Sequence, residues 1–230
     1  MTDLVVLLDV DNTLLDNDLV RVRLERDLSG ALGGEQAARF WEIYEEVRAE
    51  TDLVDFPETV ERFGRECPDS GCIGRVSAVL YDFPFQDVVY PESLEAIRHV
   101  SSFATPVILS DGDQLFQRHK IRAAGLEEAV GGNVLVYVHK EQNAEDIRRR
   151  FPARHYVMVD DKVRIHAALR ETMGDTITTV MVCQGQYAYD PAHHNFPEAD
   201  VTIEGIGGLL ALAREQLLSP QTGETRGSTS

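Results

Sequence analysis

The apolar positions fall into short blocks of two kinds. Leu4-Val5-Val6-Leu7-Leu8 is an unbroken run of five large apolar residues, the pattern of a strand buried on both faces of a parallel sheet. Similar short runs recur at Thr105–Leu109, Val134–Val138, His155–Val159 and Thr178–Cys183, with a weaker one at Asp200–Ile203. Between them, spacings of three and four predict helices: Leu94, Ile97 and Val100; Gln114 to Ala124 before Gly125; Ala144 to Arg150; one reaching about Met173; and a last helix, Gly205 to Leu218. Such alternation predicts an α/β fold, a Rossmann-like parallel sheet with helices on both faces and right-handed crossovers.

From Asn17 to Val88 the period is helical throughout. Leu19, Val22, Leu24, Leu28 and Leu32 give a first stripe, closed by Gly33-Gly34. Ala37, Phe40, Trp41, Tyr44 and Val47 give an aromatic second one, and Glu58–Glu66 and Ile73–Tyr81 give two more. The chain therefore divides into a core of residues 1–16 and 89–217, an inserted all-helical block over 17–88, and a polar tail over 218–230 without apolar anchors, which is expected to be disordered.

Composition narrows the function. With 22 basic against 39 acidic residues the net charge is −17, so nucleic acid and anionic membrane surfaces are poor partners. Three cysteines make a disulfide framework unexpected and a reducing, cytoplasmic setting the default, and the Cys67-x₄-Cys72 spacing lacks a second pair for zinc. The N-terminal apolar run is short and ends in acids, unlike a signal peptide, and no stretch reaches bilayer-spanning length.

The chemistry lies in what ends each strand. Asp9 and Asp11 follow the first run, Ser110-Asp111-Gly112 the second, Lys140 the third and Asp160-Asp161 the fourth. Carboxyl ends of parallel strands share one sheet edge, where open α/β sheets bind ligands. Two acids crowded there raise each other's pKa and call for a hard cation such as Mg²⁺. Singly, each has a bland reading: an acid after a strand is most often a helix cap, and Lys140 a solvated charge. Arg148-Arg149-Arg150 reads better as cations on a helix C-terminus than as a phosphate site, and His193-His194 as a loop pair. Gln184-Gly185-Gln186-Tyr187 is either a turn or part of the pocket.

The ordered set Asp9-Val10-Asp11-Asn12-Thr13, Ser110, Lys140 and Asp160-Asp161 resembles the four motifs of the haloacid dehalogenase superfamily, and the 17–88 block resembles its helical C1 cap. Lys120 is a rival for the third motif, placed inside a helix rather than after a strand. The resemblance implies that Asp9 is a nucleophile forming an aspartyl-phosphate and that Asp11 is the acid and base. Ser110, Asp111, Gly112 and Lys140 would bind the phosphoryl group, with backbone N–H groups near Val10 and Gly112 adding donors. Mg²⁺ would be held by Asp9, Asp11 (through its carbonyl), Asp160 and Asp161, the last directly or through water. Dehalogenases of this fold resemble each other in lacking the second acid, so the implied reaction is phosphate-monoester hydrolysis of a small phosphorylated metabolite. The alternatives are a dehalogenase, a phosphomutase, a receiver-like switch or a non-catalytic binding protein. Substrate choice would lie in the cap, where Arg21, Arg23, Arg48 and Arg62 are the candidate cations.

Overall fold

The structure, a computed structural model, describes residues 2–67, 71–189 and 195–218. Its sheet comprises β1 (Thr2–Leu8), β2 (Thr105–Asp111), β3 (Val134–Tyr137), β4 (Ala153–Asp160), β5 (Ile177–Val182) and β6 (Val201–Ile203). All pairings are parallel, in the order β3-β2-β1-β4-β5-β6. The order runs outward from β1 to β3, then returns to place β4 on the other side of β1. That reversal, between β1 and β4, is where a doubly wound sheet opens its ligand crevice.

Side chains alternate along the strands and divide the core in two. Leu4, Val6 and Leu8 pack toward the inserted helices and α5 (Ser93–Ser101). Val5 and Leu7 pack on the opposite face, against Ile147 of α8 (Ala144–Arg150) and Ile165 and Leu169 of α9 (Val163–Met173). The remaining helices on the core are α6 (Phe116–Ala123), the one-turn α7 (Leu126–Ala129) and α10 (Arg214–Leu218).

The insertion after β1 carries four helices: α1 (Asn17–Leu32), α2 (Gly34–Thr51), α3 (Phe56–Glu66) and α4 (Cys72–Tyr81). Asp16 caps α1 by accepting from Leu19 N–H at 2.8 Å, and Asp55 caps α3 from Glu58 N–H at 2.9 Å. The buried stripe of α1 is Val20, Leu24 and Leu28; Val22, expected within it, is 60% exposed. The i, i+4, i+8 row of Val20 wins because it faces α2 and α4, leaving Val22 on the outer side. The aromatic face of α2 packs as expected, with Phe40 edge-to-face on Phe63 at 5.5 Å.

Two expectations are corrected. Cys67 and Cys72 form a disulfide, their Cα atoms 6.4 Å apart, linking the end of α3 to the start of α4. Counting cysteines overlooked that consecutive antiparallel helices bring such ends together. The helix expected over Gly205–Leu218 is instead a 3₁₀ segment, Ile206–Ala211, followed by α10. Its Gly207 and Gly208 let backbone approach Glu92 and Ile203 so closely that an added Cβ would meet them at 3.0 and 2.7 Å, and paired glycines are poor α-helix formers. Residues 219–230, where the tail was expected, lie outside the described residues, as do His193 and His194. Among the described residues no helix is long and apolar enough to cross a membrane.

The β5–β6 connection is tied to the loop after β1. Gln184 Nε2 donates to the carbonyls of Asn12 (3.3 Å) and Thr13 (3.1 Å), and Gly185, at φ 66°, leaves no room for a Cβ beside the Asn12 side chain. Gly185→Ala therefore meets both left-handed backbone strain and a clash. We expect a loss of about 2 kcal/mol or more in urea denaturation; an unchanged midpoint would show that the loop relaxes freely.

Candidate active site

The chain leaves β1 at Leu8 and folds at once into a tight loop. Asp9 N–H still donates to Val159 of β4 at 3.0 Å, anchoring Asp9 between the two strands. Beyond it the amides of Leu14 and Leu15 return to the Val10 carbonyl at 2.9 and 3.0 Å, and Asn12 takes a left-handed φ of 62°. Asn12 Oδ1 accepts from Asn17 N–H at 2.9 Å, so the loop is bolted to the start of α1. Asp9 and Asp11 thus come from a turn rather than an extended strand, and they meet different lysines.

Lys140, fully buried, places Nζ 2.5 Å from Asp9 Oδ1 and 2.7 Å from Asp160 Oδ2. Its backbone N–H donates to Asp111 Oδ1 at 2.8 Å, which fixes the segment after β3 against the end of β2. Burial disfavours the ammonium, but Asp160 and Asp9 overcome it and hold the Lys140 pKa well above its ordinary value. Asp160 is held below the usual carboxylate range: burial pushes up, and Lys140 with Lys162 outweighs it. Burial, opposed by Lys140 and reinforced by Asp160, pushes Asp9 up to about 6. Burial and the Asp160 charge push Asp161 up to about 9. Lys140 and Lys162 together do not neutralise three buried acids.

Asp11 is held separately. Lys120 Nζ lies 2.6 Å from its Oδ1 and Gln117 Nε2 donates to its Oδ2 at 3.0 Å. Gln117 also donates to Ser110 Oγ at 2.8 Å, and Lys120 to Asn17 Oδ1 at 3.2 Å. Burial raises the Asp11 pKa, but Lys120 and Gln117 bring it below the ordinary value. Lys120, the rival for the third motif, therefore partners the second acid, while Lys140 partners the first. Gln117 was missed in the sequence. Its only signal was its place one helical turn before Lys120 on the same face of α6. Gly112 N–H donates to the Tyr137 carbonyl at 2.9 Å, so it is engaged within the fold.

Asp9, Asp160 and Asp161 each offer an oxygen within 4.8 Å of the others, all buried. Asp9 Oδ2 and both Asp161 oxygens have no hydrogen-bond partner among the described residues. Buried orphan carboxylate oxygens in surplus over cations are the donor set of a hard divalent ion, so the residues fit Mg²⁺. Asp11 directs its side chain elsewhere, leaving only its carbonyl for such an ion. Behind the cluster His166 is buried with neither ring nitrogen bonded among the described residues, and burial pushes its pKa down to about 4. A cavity of about 550 Å³ lies between the inserted helices and the sheet edge, bordered by Asp11, Lys120 and Lys162 on one side and Arg48 on the other.

Residues 4–171 match the family model of haloacid dehalogenase-like hydrolases. The chain is 44% identical to a haloacid dehalogenase-like hydrolase of known structure from Burkholderia xenovorans LB400, with TM-score 0.86 over 93% of this chain and all of that one. More distant folds include L-2-haloacid dehalogenase from Xanthobacter autotrophicus with chloropropionic acid covalently bound (17% identity, TM-score 0.59, 92% and 98% covered). Another is the magnesium-bound HAD-hydrolase YfnB from Bacillus subtilis (13%, 0.58, 92% and 98%). Comparison with curated proteins finds no match. The chain belongs to the haloacid dehalogenase-like hydrolase family, and it is an enzyme of the hydrolase class.

A raised carboxyl pKa stabilises the fold while protonated, and that contribution is lost as pH climbs through the folded value. For Asp161 the window runs from the ordinary 3.8 to about 9. His166, depressed to about 4 from 6.5, acts oppositely but only below 6.5. Without divalent ions the melting temperature is therefore expected to fall between pH 6.5 and 9. Mg²⁺ displaces the proton, so its stabilising increment should grow over the same interval. A pH-independent increment would reject the three-carboxylate site.

Proposed function

We propose that this hydrolase is a Mg²⁺-dependent phosphohydrolase acting on a small phosphorylated metabolite through an aspartyl-phosphate on Asp9. The observation that carries the reading is the division of labour between the two acids. Asp9 is oriented by Lys140 inside a surplus of negative charge, and two residues later Asp11 has a lysine and an amide of its own. Displacement of halide needs no proton, whereas an alkoxide leaving group does. A second acid equipped with its own ammonium favours the phosphate ester.

In the first half-reaction an Asp9 oxygen attacks phosphorus and the bond from phosphorus to the ester oxygen breaks. The alcohol leaves with a proton from Asp11, shared with Lys120 Nζ at 2.6 Å. In the second, water attacks the acyl phosphate, Asp11 accepts its proton, and inorganic phosphate leaves with Asp9 restored. Lys120 and Gln117 keep Asp11 ionised at rest, so the proton delivered to the alcohol originates on the Lys120 ammonium, and the one taken from water restores it. Ser110 Oγ, steered by Gln117, and Lys140 Nζ meet the phosphoryl oxygens, with Asp111 fixing Lys140 through its amide. Bound between Asp9, Asp160, Asp161 and the Asp11 carbonyl, Mg²⁺ would supply the charge that lets an anionic nucleophile approach an anionic ester.

Residues 17–88 act as the cap over the core of 1–16 and 89–217, closing a space suited to a metabolite rather than a macromolecule. A cytoplasmic location fits such a substrate, and there the Cys67–Cys72 disulfide would face a reducing pool.

The first test is steady phosphate release from p-nitrophenyl phosphate with and without Mg²⁺. Asp9→Asn should lower kcat by about 10⁴ or more while the far-UV spectrum stays unchanged. Retained turnover would reject Asp9 as nucleophile, and chloride release from 2-chloropropionate without phosphatase activity would point to a dehalogenase. Asp11→Asn should slow alkyl phosphates about 10²–10⁴-fold and aryl phosphates much less. Equal losses would reject the acid role.

A further inference from the structure

The walls of the cavity are not evenly neutralised. The protein carries a net charge of −17, yet three of the four acids lining this space are engaged, the fourth being Asp52 at the end of α2. Asp11 is taken by Lys120, Asp111 by the Lys140 amide, and Asp113 by the amides of Leu115 and Phe116 at the start of α6. Among the described residues three cations facing the same space, Lys162, Arg48 and Arg164, have no acid within hydrogen-bond distance, Arg164 lying 3.8 Å from Glu141. The Lys162 ammonium has no hydrogen bond or ion pair among the described residues, and it sits over the Tyr187 ring, 5.1 Å from the centroid. On the other side of that ring the Tyr187 hydroxyl faces the guanidinium of Arg48 from α2. The acid nearest to Arg48 is Glu45 at 3.8 Å, longer than a hydrogen bond and shared with Arg21 at 3.6 Å.

Tyr187 thus separates a cation beside the catalytic acids from one carried by the inserted helices. Lys162 directly follows Asp161, and its backbone N–H donates to Asp160 Oδ1 at 2.9 Å, which places it at the phosphoryl end. Arg48 belongs to the far end, where the alcohol portion of the substrate would lie. A guanidinium lining a pocket with no acid within hydrogen-bond distance is suited to a planar or tetrahedral oxyanion. Arg62, by contrast, is spent on Glu50 and Glu58 on the outer surface of the insertion. Arg21, which also lines the cavity, is held by Glu25 at 2.7 Å, which separates Arg48 from both.

We propose that Arg48, positioned by Tyr187 and paired across it with Lys162, forms a second anion subsite, so that the substrate is a phosphomonoester whose alcohol portion carries a carboxylate or a second phosphate. This rests on the phosphohydrolase reading and adds the substrate class to it. Arg48 reads the distal anion, and Lys162 serves the end next to Asp9. The Tyr187 ring fills the gap between them, setting the distance the two anions must span.

The test uses three pairs of esters, each pair contrasting a carboxylate with its absence at one chain length: 2-phosphoglycolate and ethyl phosphate, 3-phosphoglycerate and glycerol 3-phosphate, 6-phosphogluconate and glucose 6-phosphate. Each ester is measured as a competitor of p-nitrophenyl phosphate hydrolysis, so an inhibition constant is obtained whether or not it turns over. In the wild type at least one pair should differ by about tenfold or more in favour of the carboxylate. Arg48→Met should bring that ratio below about threefold, and Tyr187→Phe should reduce it in the same direction. Ratios near one for all three pairs in the wild type would overturn the subsite. So would a ratio unchanged in Arg48→Met, the result expected if Arg48 only latches the insertion to the core. Absence of any p-nitrophenyl phosphate hydrolysis would instead reject the phosphohydrolase reading itself.

Discussion

Everything at the carboxyl edge of the sheet turns on one ammonium group. Lys140 is completely buried and stands between Asp9 and Asp160, the residues that end the contacts of β1 and β4. A charge in that position is tolerable only while both carboxylates remain in reach, and the carboxylates are tolerable only with it. The interaction therefore does two jobs. It welds the two central strands at the point where the sheet reverses direction, and it holds Asp9 in one orientation. Removing the lysine would leave adjacent buried acids uncompensated, a change that costs several kcal/mol in comparable settings.

The weld is incomplete by design of its charges. Asp161 and the second oxygen of Asp9 remain without partners among the described residues, and the protonation of Asp161 up to about 9 is the fold's substitute for a cation. The same imbalance is what would favour a divalent ion at this cluster. Stability and affinity draw on one electrostatic deficit, as linkage requires. The second acid escapes this deficit because α6 supplies Lys120 and Gln117 on one face. Its other face joins the aromatic contacts of the insertion, Phe116 lying 4.5 Å from Phe56 and 5.7 Å from Tyr81. Helix α6 thereby links the loop after β1 to the helices of the insertion.

Much was legible from the chain alone because it depends on local pattern. Apolar runs mark strands buried on both sides, three-and-four spacing marks the helices, and polar residues at strand ends share an edge in any parallel sheet. Hence Asp9, Asp11, Ser110, Lys140, Asp160 and Asp161 could be grouped from positions spread over most of the chain. Where pattern misled, long-range packing had overruled it. Val22 fits a helical stripe but faces away from α2 and α4, and Gly207-Gly208 exchange an α-helix for close contact with Glu92 and Ile203.

Pairing was the part that pattern could not reach. Which lysine serves which acid, and that Cys67 closes on Cys72, depend on distances between segments whose separation in the chain says nothing about their separation in space. The same holds for Tyr187, one residue of an ordinary-looking turn, which only the fold sets between Lys162 and Arg48. Sequence by itself determined the sheet and its order of chemical groups, since those follow from residue type and period, and the family came from the resemblance that those ordered motifs carry. Tertiary structure decided the charge bookkeeping of the site, because Coulomb interactions and burial act through space and not along the chain.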